Sequence, residues 1–411
     1  MASKGGIDLT VDFCGLEFKN PFLLASAPPT GTGEMMARGY RAGWAGGVTK
    51  TLVTDAASIV NVTPRLASLS FPGKARRVYA LENIELVTDR PLDDWLRDIE
   101  MLRKKHPDHV TIASIMDDAS RPEGWEKLAR KCEAAGAHML ELNLSCPHGM
   151  PERGMGMAIG QDRKLAARVT KWTVDAVKIP VLAKMTPNIT DVAQVARTCL
   201  KAGAAGLAAI NTVAAITGVD LDTFSPLPSV DGRSTAGGLS GLAIKPIALR
   251  IVAAIAQATG APVSGLGGIS QWEDAAEFIL LGAGTVQVCT AVMANGYGIV
   301  DKLISGLGQY LKAKGLPSVQ DLTGLALPRL VGHEALSRET RLVSKIDPQL
   351  CVKCGACHVS CRDAGYQAIR LQSDKSPVVN KKKCTGCSLC QHVCPVRGCI
   401  ALVPYREARK K

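Results

Sequence analysis

Eight short apolar runs recur along the first 330 residues, at 22–27, 47–51, 110–116, 139–145, 181–186, 206–212, 263–267 and 285–292. Amphipathic stretches separate them, for example PEGWEKLARKCEAAGA (122–137) and DVAQVARTCLKAGAAG (191–206). The second closes on glycine just before its strand, the usual stop signal of a helix. Strand and helix alternating in this way indicate an α/β fold with parallel strands. Eight such units in one domain favour a (β/α)8 TIM barrel. A doubly wound sheet is the competing architecture. It needs a glycine-rich nucleotide turn after the first strand, and ASAPPTGTGEMM (25–36) is not one.

Composition fits a globular chain of one to three domains, with 411 residues and 46% hydrophobic residues. Aromatics are only 4%, so alanine, valine, leucine and isoleucine must fill the core. The opening MASKGGIDLT has no apolar segment of the kind that starts a secretory signal. The longest uncharged apolar-leaning stretch, 203–219, is broken by Asn, Thr and Gly and makes a poor membrane span. The expectation is a soluble, cytoplasmic protein.

In a TIM barrel the chemistry sits at the C-terminal ends of the strands. Polar residues gather at those ends here. Lys50 closes the second run, Asn143 and Cys146 the fourth, and Lys184 the fifth. Asn211 and Thr212 close the sixth, Gly267 and Gly268 the seventh, and Cys289 and Thr290 the eighth. One such residue has a dull explanation, as a turn asparagine, a capping glycine or an outward lysine. Six positions on one rim point to a shared site. Backbone N–H groups in SGLGGIS (264–270) and VQVCTAV (286–292), beside helix starts, suit a phosphate.

The chain has 14 cysteines, nine of them between 351 and 399. CVKCGACHVSC (351–361) and CTGCSLCQHVCP (384–395) both follow C-x2-C-x2-C-x3-C, the bacterial ferredoxin spacing for two [4Fe–4S] clusters. In that arrangement each run gives three ligands to one cube and its fourth to the other. Cys351, Cys354, Cys357 and Cys394 are then one set, and Cys384, Cys387, Cys390 and Cys361 the second. Disulfides are disfavoured without a secretory signal, and structural zinc uses paired ligands rather than matched quartets. Cys399 is expected to be a buried apolar thiol. The expected organisation is a barrel over 1–330, a linker over 331–344, and a small α+β ferredoxin-like domain over 345–411.

Net charge is +12, and residues 345–411 carry thirteen Lys and Arg against four Asp and Glu, a formal +9. Negatively charged clusters offset part of that excess, and the rest suits an acidic electron donor. KKKC (381–384) is the one compact basic run, and few aromatics stand near it for base stacking, so nucleic acid is not the expected partner. Clusters carry single electrons, whereas most substrates take two, and a flavin interconverts them. A phosphate site in a barrel joined to ferredoxin clusters therefore suggests FMN.

ELNLSCPHGMPERGMG (141–156), LAKMTPNITD (182–191), INTV (210–213), GGLSGLAIKPIALR (237–250) and the double ferredoxin run together resemble dihydropyrimidine dehydrogenase, in its FMN/iron–sulfur catalytic part. The resemblance covers nearly the whole chain. It implies a barrel related to dihydroorotate dehydrogenase that reduces the 5,6 double bond of uracil and thymine, with FMN and two [4Fe–4S] clusters. It implies that electrons come from NAD(P)H through an FAD-containing module. No Rossmann glycine fingerprint is present, so that module is expected on a partner flavoprotein, around a homodimer of this chain within a heterotetramer.

The resemblance also implies roles. Lys50 in VTKT and Lys184 in LAKMTPN contact the isoalloxazine ring, and Ser26 in LASAP lines the FMN. Gly238, Gly267, Gly268, Cys289 and Thr290 hold the ribityl phosphate side. Asn83 in LENIEL, Asn143, Asn211 and Thr212 bind the pyrimidine, whose alternating N–H and C=O groups suit amides. Cys146 is then the proton donor, with His148 placing its loop. A thiol with a pKa of about 8.5 is mostly protonated at neutral pH and can serve as a general acid. Two competing functions remain: a dihydroorotate dehydrogenase-type flavin enzyme, and a non-catalytic iron–sulfur electron carrier. Preference between uracil and thymine, the physiological direction, NADH against NADPH, and the role of residues 68–80 are not readable from the residues.

Overall fold

A computed structural model describes residues 7–71, 78–147, 149–364 and 366–405. The chain divides into two compact units, Met1–Arg329 and Leu330–Lys411. In the first, eight parallel strands close a barrel: β1 (Phe22–Leu24), β2 (Gly46–Val48), β3 (Val110–Ile115), β4 (Met139–Asn143), β5 (Val181–Met185), β6 (Gly206–Ala209), β7 (Val263–Leu266) and β8 (Ala283–Val288). Each lies beside its sequence neighbour, and β8 pairs back to β1 through Val286 and Phe22. The strands are shorter than the apolar runs, because the last residues of each run leave the ladder and turn over the barrel mouth.

Eight principal helices follow the strands: α1 (Gly33–Ala42), α2 (Leu92–Lys105), α3 (Glu123–Ala134), α4 (Arg163–Ala176), α5 (Val192–Lys201), α6 (Lys245–Thr259), α7 (Trp272–Leu280) and α8 (Ile299–Lys314). Three of their starts are capped by a side chain that accepts from the first turn. Thr32 accepts from Met35 N, Asp162 from Lys164 and Leu165 N, and Asp191 from Gln194 N. Residues Leu242–Thr259 are apolar and long enough to cross a membrane. Here they pack as α6 and the turn before it, burying Ala248, Ile251, Val252 and Ile255 against the barrel. With aromatics scarce, the core is largely aliphatic, pinned by the fully buried Trp44, Trp95 and Trp125.

Side chains alternate across each strand. Leu140 and Leu142 of β4 belong to the apolar core, while Glu141 and Asn143 meet partners from β5, β8 and the loop after β2 across the barrel interior. A separate antiparallel sheet covers the mouth, in the order Val213–Ala215, Gly237–Gly241, Val78–Asn83, Leu66–Ser70. It is built from the insertions after β2 and β6, and its register sets Gly238 opposite Asn83.

The second unit holds two strand pairs. Leu342–Ile346 pairs with Ile400–Pro404, and Ile369–Leu371 pairs with Pro377–Val379. Helices Ala356–Asp363 and Leu389–His392 lie between them in sequence. Residues 342–344, expected as linker, are instead strand, because Val343 and Ser344 are buried beneath the cysteine loops.

Candidate active site

A cavity of about 640 Å³ opens at the C-terminal end of the barrel, beneath the covering sheet. That is within the range of small-molecule sites, about 300–1,000 Å³. The turns after the strands supply much of its wall. Ser26 follows β1, Lys50 follows β2, and Asn143 ends β4 with Cys146 just beyond. Lys184 is in β5, and Asn211 and Thr212 follow β6. Gly267 and Gly268 follow β7, and Cys289 and Thr290 follow β8. Asn83 reaches the cavity from the covering sheet. Gly238 does not line it. Its carbonyl instead accepts from Asn83 Nδ2 at 3.1 Å, and a Cβ there would lie 2.2 Å from Thr212 Oγ1. Its position sets the height of Asn83 and Thr212.

The amides are wired together by the protein's own hydroxyls and backbone. Asn143 Nδ2 donates to Thr51 Oγ1 at 2.9 Å, and Thr51 lies 3.3 Å from Ser26 Oγ. Asn211 Nδ2 donates to Ser145 Oγ at 2.8 Å, and Ser145 Oγ donates to Asn143 Oδ1 at 3.2 Å. Thr212 N donates to Asn211 Oδ1 at 2.8 Å. Two hydroxyls that the sequence reading passed over, Thr51 and Ser145, thus hold both asparagines in place. Cys146 is 8% exposed and enters the apolar core cluster. His148 lies outside the described residues.

Both lysines are paired. Lys50 Nζ meets Glu85 Oε2 at 2.9 Å, and Glu85 also lines the cavity. Lys184 Nζ meets Glu141 Oε1 at 3.0 Å, with both side chains nearly or fully buried. Burial pushes the Cys289 thiol up to about 11, against the pull of Lys184 and Lys50, so it stays protonated. Glu85, Glu141 and Gln287 were not picked out from the sequence. Strand alternation was the available signal for two of them, since Glu141 stands two residues before Asn143 and Gln287 two before Cys289.

These residues fit FMN. Gly267 and Gly268 have φ of +124° and +83°, a backbone path that favours glycine and leaves this wall of the cavity without side chains, where a phosphate can approach backbone N–H groups. Two cations at the cavity wall, Lys50 and Lys184, suit a ring that becomes more negative on reduction. Gln287 Oε1 is buried with no hydrogen-bond partner among the described residues, while Gln287 lines the cavity. A ligand N–H answers that need.

The second unit fits clusters. A small cavity is lined by Cys351, Cys354, Cys357 and Cys394, the crossed set expected from the spacing, with Cys399 beside them. Cys361, outside that cavity's lining, packs against the apolar group that contains Cys384 and also against the one that contains Cys357 and Cys390. Lys353 and Gly355 in the first loop, and Gly386 and Ser388 in the second, all have positive φ, so matching positions curl both loops alike. Among the described residues no three His, Cys, Asp or Glu side chains close on a single ion. Four thiols around a cavity suit a cube with irons at four alternate corners, one thiolate to each.

Residues 8–311 match the dihydroorotate dehydrogenase family, and residues 344–402 match the 4Fe-4S dicluster domain. The chain is 42% identical over 410 residues to the NAD-dependent dihydropyrimidine dehydrogenase subunit PreA of Escherichia coli K12, covering 98% of each chain. It is 42% identical over 349 residues to the chloroplastic dihydropyrimidine dehydrogenase (NADP(+)) of Arabidopsis thaliana, covering 83% of this chain and 82% of that one. It is 38% identical over 320 residues to the catalytic subunit of dihydroorotate dehydrogenase B (NAD(+)) of Pyrococcus abyssi, covering 78% of this chain and 99% of that one. A barrel matched over its length and a tail with two cysteine quartets lead to one placement: the chain belongs to the dihydroorotate dehydrogenase family, among the dihydropyrimidine dehydrogenases that carry a dicluster domain.

Proposed function

We propose that this chain is the catalytic subunit of a dihydropyrimidine dehydrogenase, reducing the 5,6 double bond of uracil or thymine. The observation that carries this reading is one cavity in which Asn83, Asn143, Asn211 and Thr212 stand with Cys146 and two lysines. FMN and two [4Fe–4S] clusters are its cofactors. When bound, FMN would supply two electrons together with one proton to one alkene carbon.

The chain's own residues do the rest. The asparagine amides, pre-set by Thr51 and Ser145, offer a donor and an acceptor to each edge of the pyrimidine. Holding the ring in one pose removes the orientational part of the barrier. Cys146 Sγ gives its proton to the alkene carbon next to the one that takes the hydrogen. Its thiolate then regains a proton from solvent, or takes one from the product in the reverse direction. Pro147, which follows Cys146 and also lines the cavity, helps to close water out. Lys50 and Lys184 balance the negative charge that the ring system gains. Gly267, Gly268 and Thr290 take the phosphate end.

Electrons reach the clusters from NAD(P)H through an FAD-binding partner subunit, and this chain forms a homodimer within the heteromer, in the cytoplasm. The word "subunit" in the name of the Escherichia coli relative supports a partner. The Pyrococcus relative supports dihydroorotate as a rival substrate, but the family match that carries it ends before the cysteine quartets. Turnover of the reduced enzyme with uracil, thymine and orotate separates the two. Uracil or thymine is expected to exceed orotate in kcat/KM by at least tenfold; orotate as the best substrate would overturn the proposal.

A further inference from the structure

The barrel axis below the cavity holds a buried charged group that the steps above leave without a task. Glu141 of β4 is completely buried. Its Oε1 lies 3.0 Å from Lys184 Nζ, and its Oε2 accepts from Gln287 Nε2 at 2.9 Å. Gln287 of β8 is 1% exposed, and its Nε2 also reaches Ser264 Oγ at 3.3 Å. Lys184 and Gln287 line the cavity, whereas Glu141 stands behind them. A buried ion pair is a weak source of stability, since apolar groups of similar size often do as well. Its place next to the cofactor cavity calls for another reason.

The orientation of Gln287 follows from the same carboxylate. Turned over, the amide would set Oε1 against Glu141 Oε2, acceptor against acceptor. Glu141 thus fixes Nε2 towards itself and leaves Oε1 as the group with no partner among the described residues. An unpaired buried carbonyl oxygen is costly, and a ring N–H of a bound ligand relieves it.

We infer that Glu141 is a positioning residue that sets the reduction potential of the bound flavin. It holds the Lys184 ammonium at one point beside the cavity and cancels part of its field. Through Gln287 it presents an acceptor to a flavin N–H. Reduction makes the flavin more negative, so Lys184 favours it and Glu141 opposes it, in a water-poor setting where charges act strongly. The inference rests on the FMN part of the proposed function and not on the identity of the substrate.

The test is a spectroelectrochemical titration of the flavin in the purified holoenzyme, with the clusters followed separately by electron paramagnetic resonance and no pyrimidine present. E141Q is expected to move the two-electron equilibrium at least tenfold towards reduced flavin, a rise of about 30 mV. An unchanged or lowered potential in E141Q that retains FMN overturns the inference. E141Q leaves Lys184 without its counter-charge, so the double variant E141L/K184M, which removes the pair together, is titrated alongside. Its potential is expected to fall below wild type, because the group lining the cavity was the cation. A double variant at or above wild type also overturns it. Q287L should weaken binding of oxidised FMN about tenfold or more, and unchanged affinity would refute the acceptor role. A merely structural role for Glu141 would lower FMN occupancy without moving the potential. Failure of uracil turnover would leave all three readouts standing.

Discussion

Asp274 ties the turn after β7 to two helices, and removing it tests whether that turn holds the flavin phosphate. The residue lies in the first turn of α7 and is fully buried. Its Oδ2 accepts from Ser270 N at 2.9 Å, Ser270 Oγ at 2.8 Å and Gln271 N at 3.1 Å. Its Oδ1 meets Lys245 Nζ at 2.7 Å, at the start of α6. Gly267 and Gly268 sit immediately before this anchored segment. Each hydrogen bond to a charged acceptor contributes about 1.5–3 kcal/mol, but bonds to one group do not add. Lys245 is partly exposed and keeps Glu277 Oε2 at 2.8 Å, so Asp274→Ala is expected to cost about 3 kcal/mol, the worth of the hydrogen bonds left unmade. At 1.4 kcal/mol per tenfold, the folded-to-unfolded ratio of the barrel falls by about 10². FMN affinity should fall with it, because the glycine turn loses its support. Urea unfolding read by the buried tryptophans gives the first quantity, and FMN titration of the apoprotein the second. The barrel transition is fitted apart from that of the C-terminal unit. A loss below 1 kcal/mol with unchanged FMN affinity would refute the reasoning.

Three further outcomes are expected. Gly156 has φ of +57°, and a Cβ there would lie 2.8 Å from Cys146 O and 3.0 Å from Cys146 Cβ; Gly156→Ala should displace the thiol and lower kcat at least tenfold while FMN content stays normal, which absorbance and stopped-flow rates will check. Burial, aided by Lys19 and Arg103 respectively, lowers the pKa of His109 and His138 to about 4 from 6.5; the unfolded chain takes up protons that the fold refuses, so their stabilisation is complete above about pH 6.5 and is lost as pH falls towards 4, and a double His→Gln variant should flatten that part of the melting profile. Ser344 Oγ lies 3.0 Å from Cys390 Sγ, where its hydroxyl can donate to a cluster-bound thiolate; Ser344→Ala should lower the potential of the cluster held by Cys384, Cys387, Cys390 and Cys361, as redox titration followed by electron paramagnetic resonance will reveal.

The barrel was legible because each strand is buried on both faces and reads as a largely apolar run bounded by Gly, Pro or Asn. The cysteine loops were legible because a cube of fixed size demands a fixed spacing. What escaped notice was non-local. LASLS at 66–70 is half exposed and carries little apolar pattern, yet it pairs with 78–83 and so builds the cover over the cavity. Within 68–80, residues 72–77 lie outside the described ones. Residues 342–344 read as linker because their partner strand, Ile400–Pro404, is more than fifty positions away. Glu141 and Gln287 were masked by apolar neighbours, since alternation inside a barrel hides polar groups within strands that look wholly hydrophobic. Thr51 and Ser145 were not legible because a hydroxyl at a strand end serves a turn as readily as a site, and their respective partners Asn143 and Asn211 are distant in sequence.

The central claim is that Cys146 protonates a pyrimidine at a flavin site in this barrel. Its most direct test is anaerobic reduction of the holoenzyme followed by addition of uracil, with flavin absorbance followed in time. Reoxidation is expected in wild type and in a cluster-ligand variant given a direct flavin reductant. In Cys146→Ala it should slow by about 10²–10⁴, the usual worth of a general acid. Reoxidation at the wild-type rate in Cys146→Ala, or none by uracil or thymine in the wild type, would contradict the account.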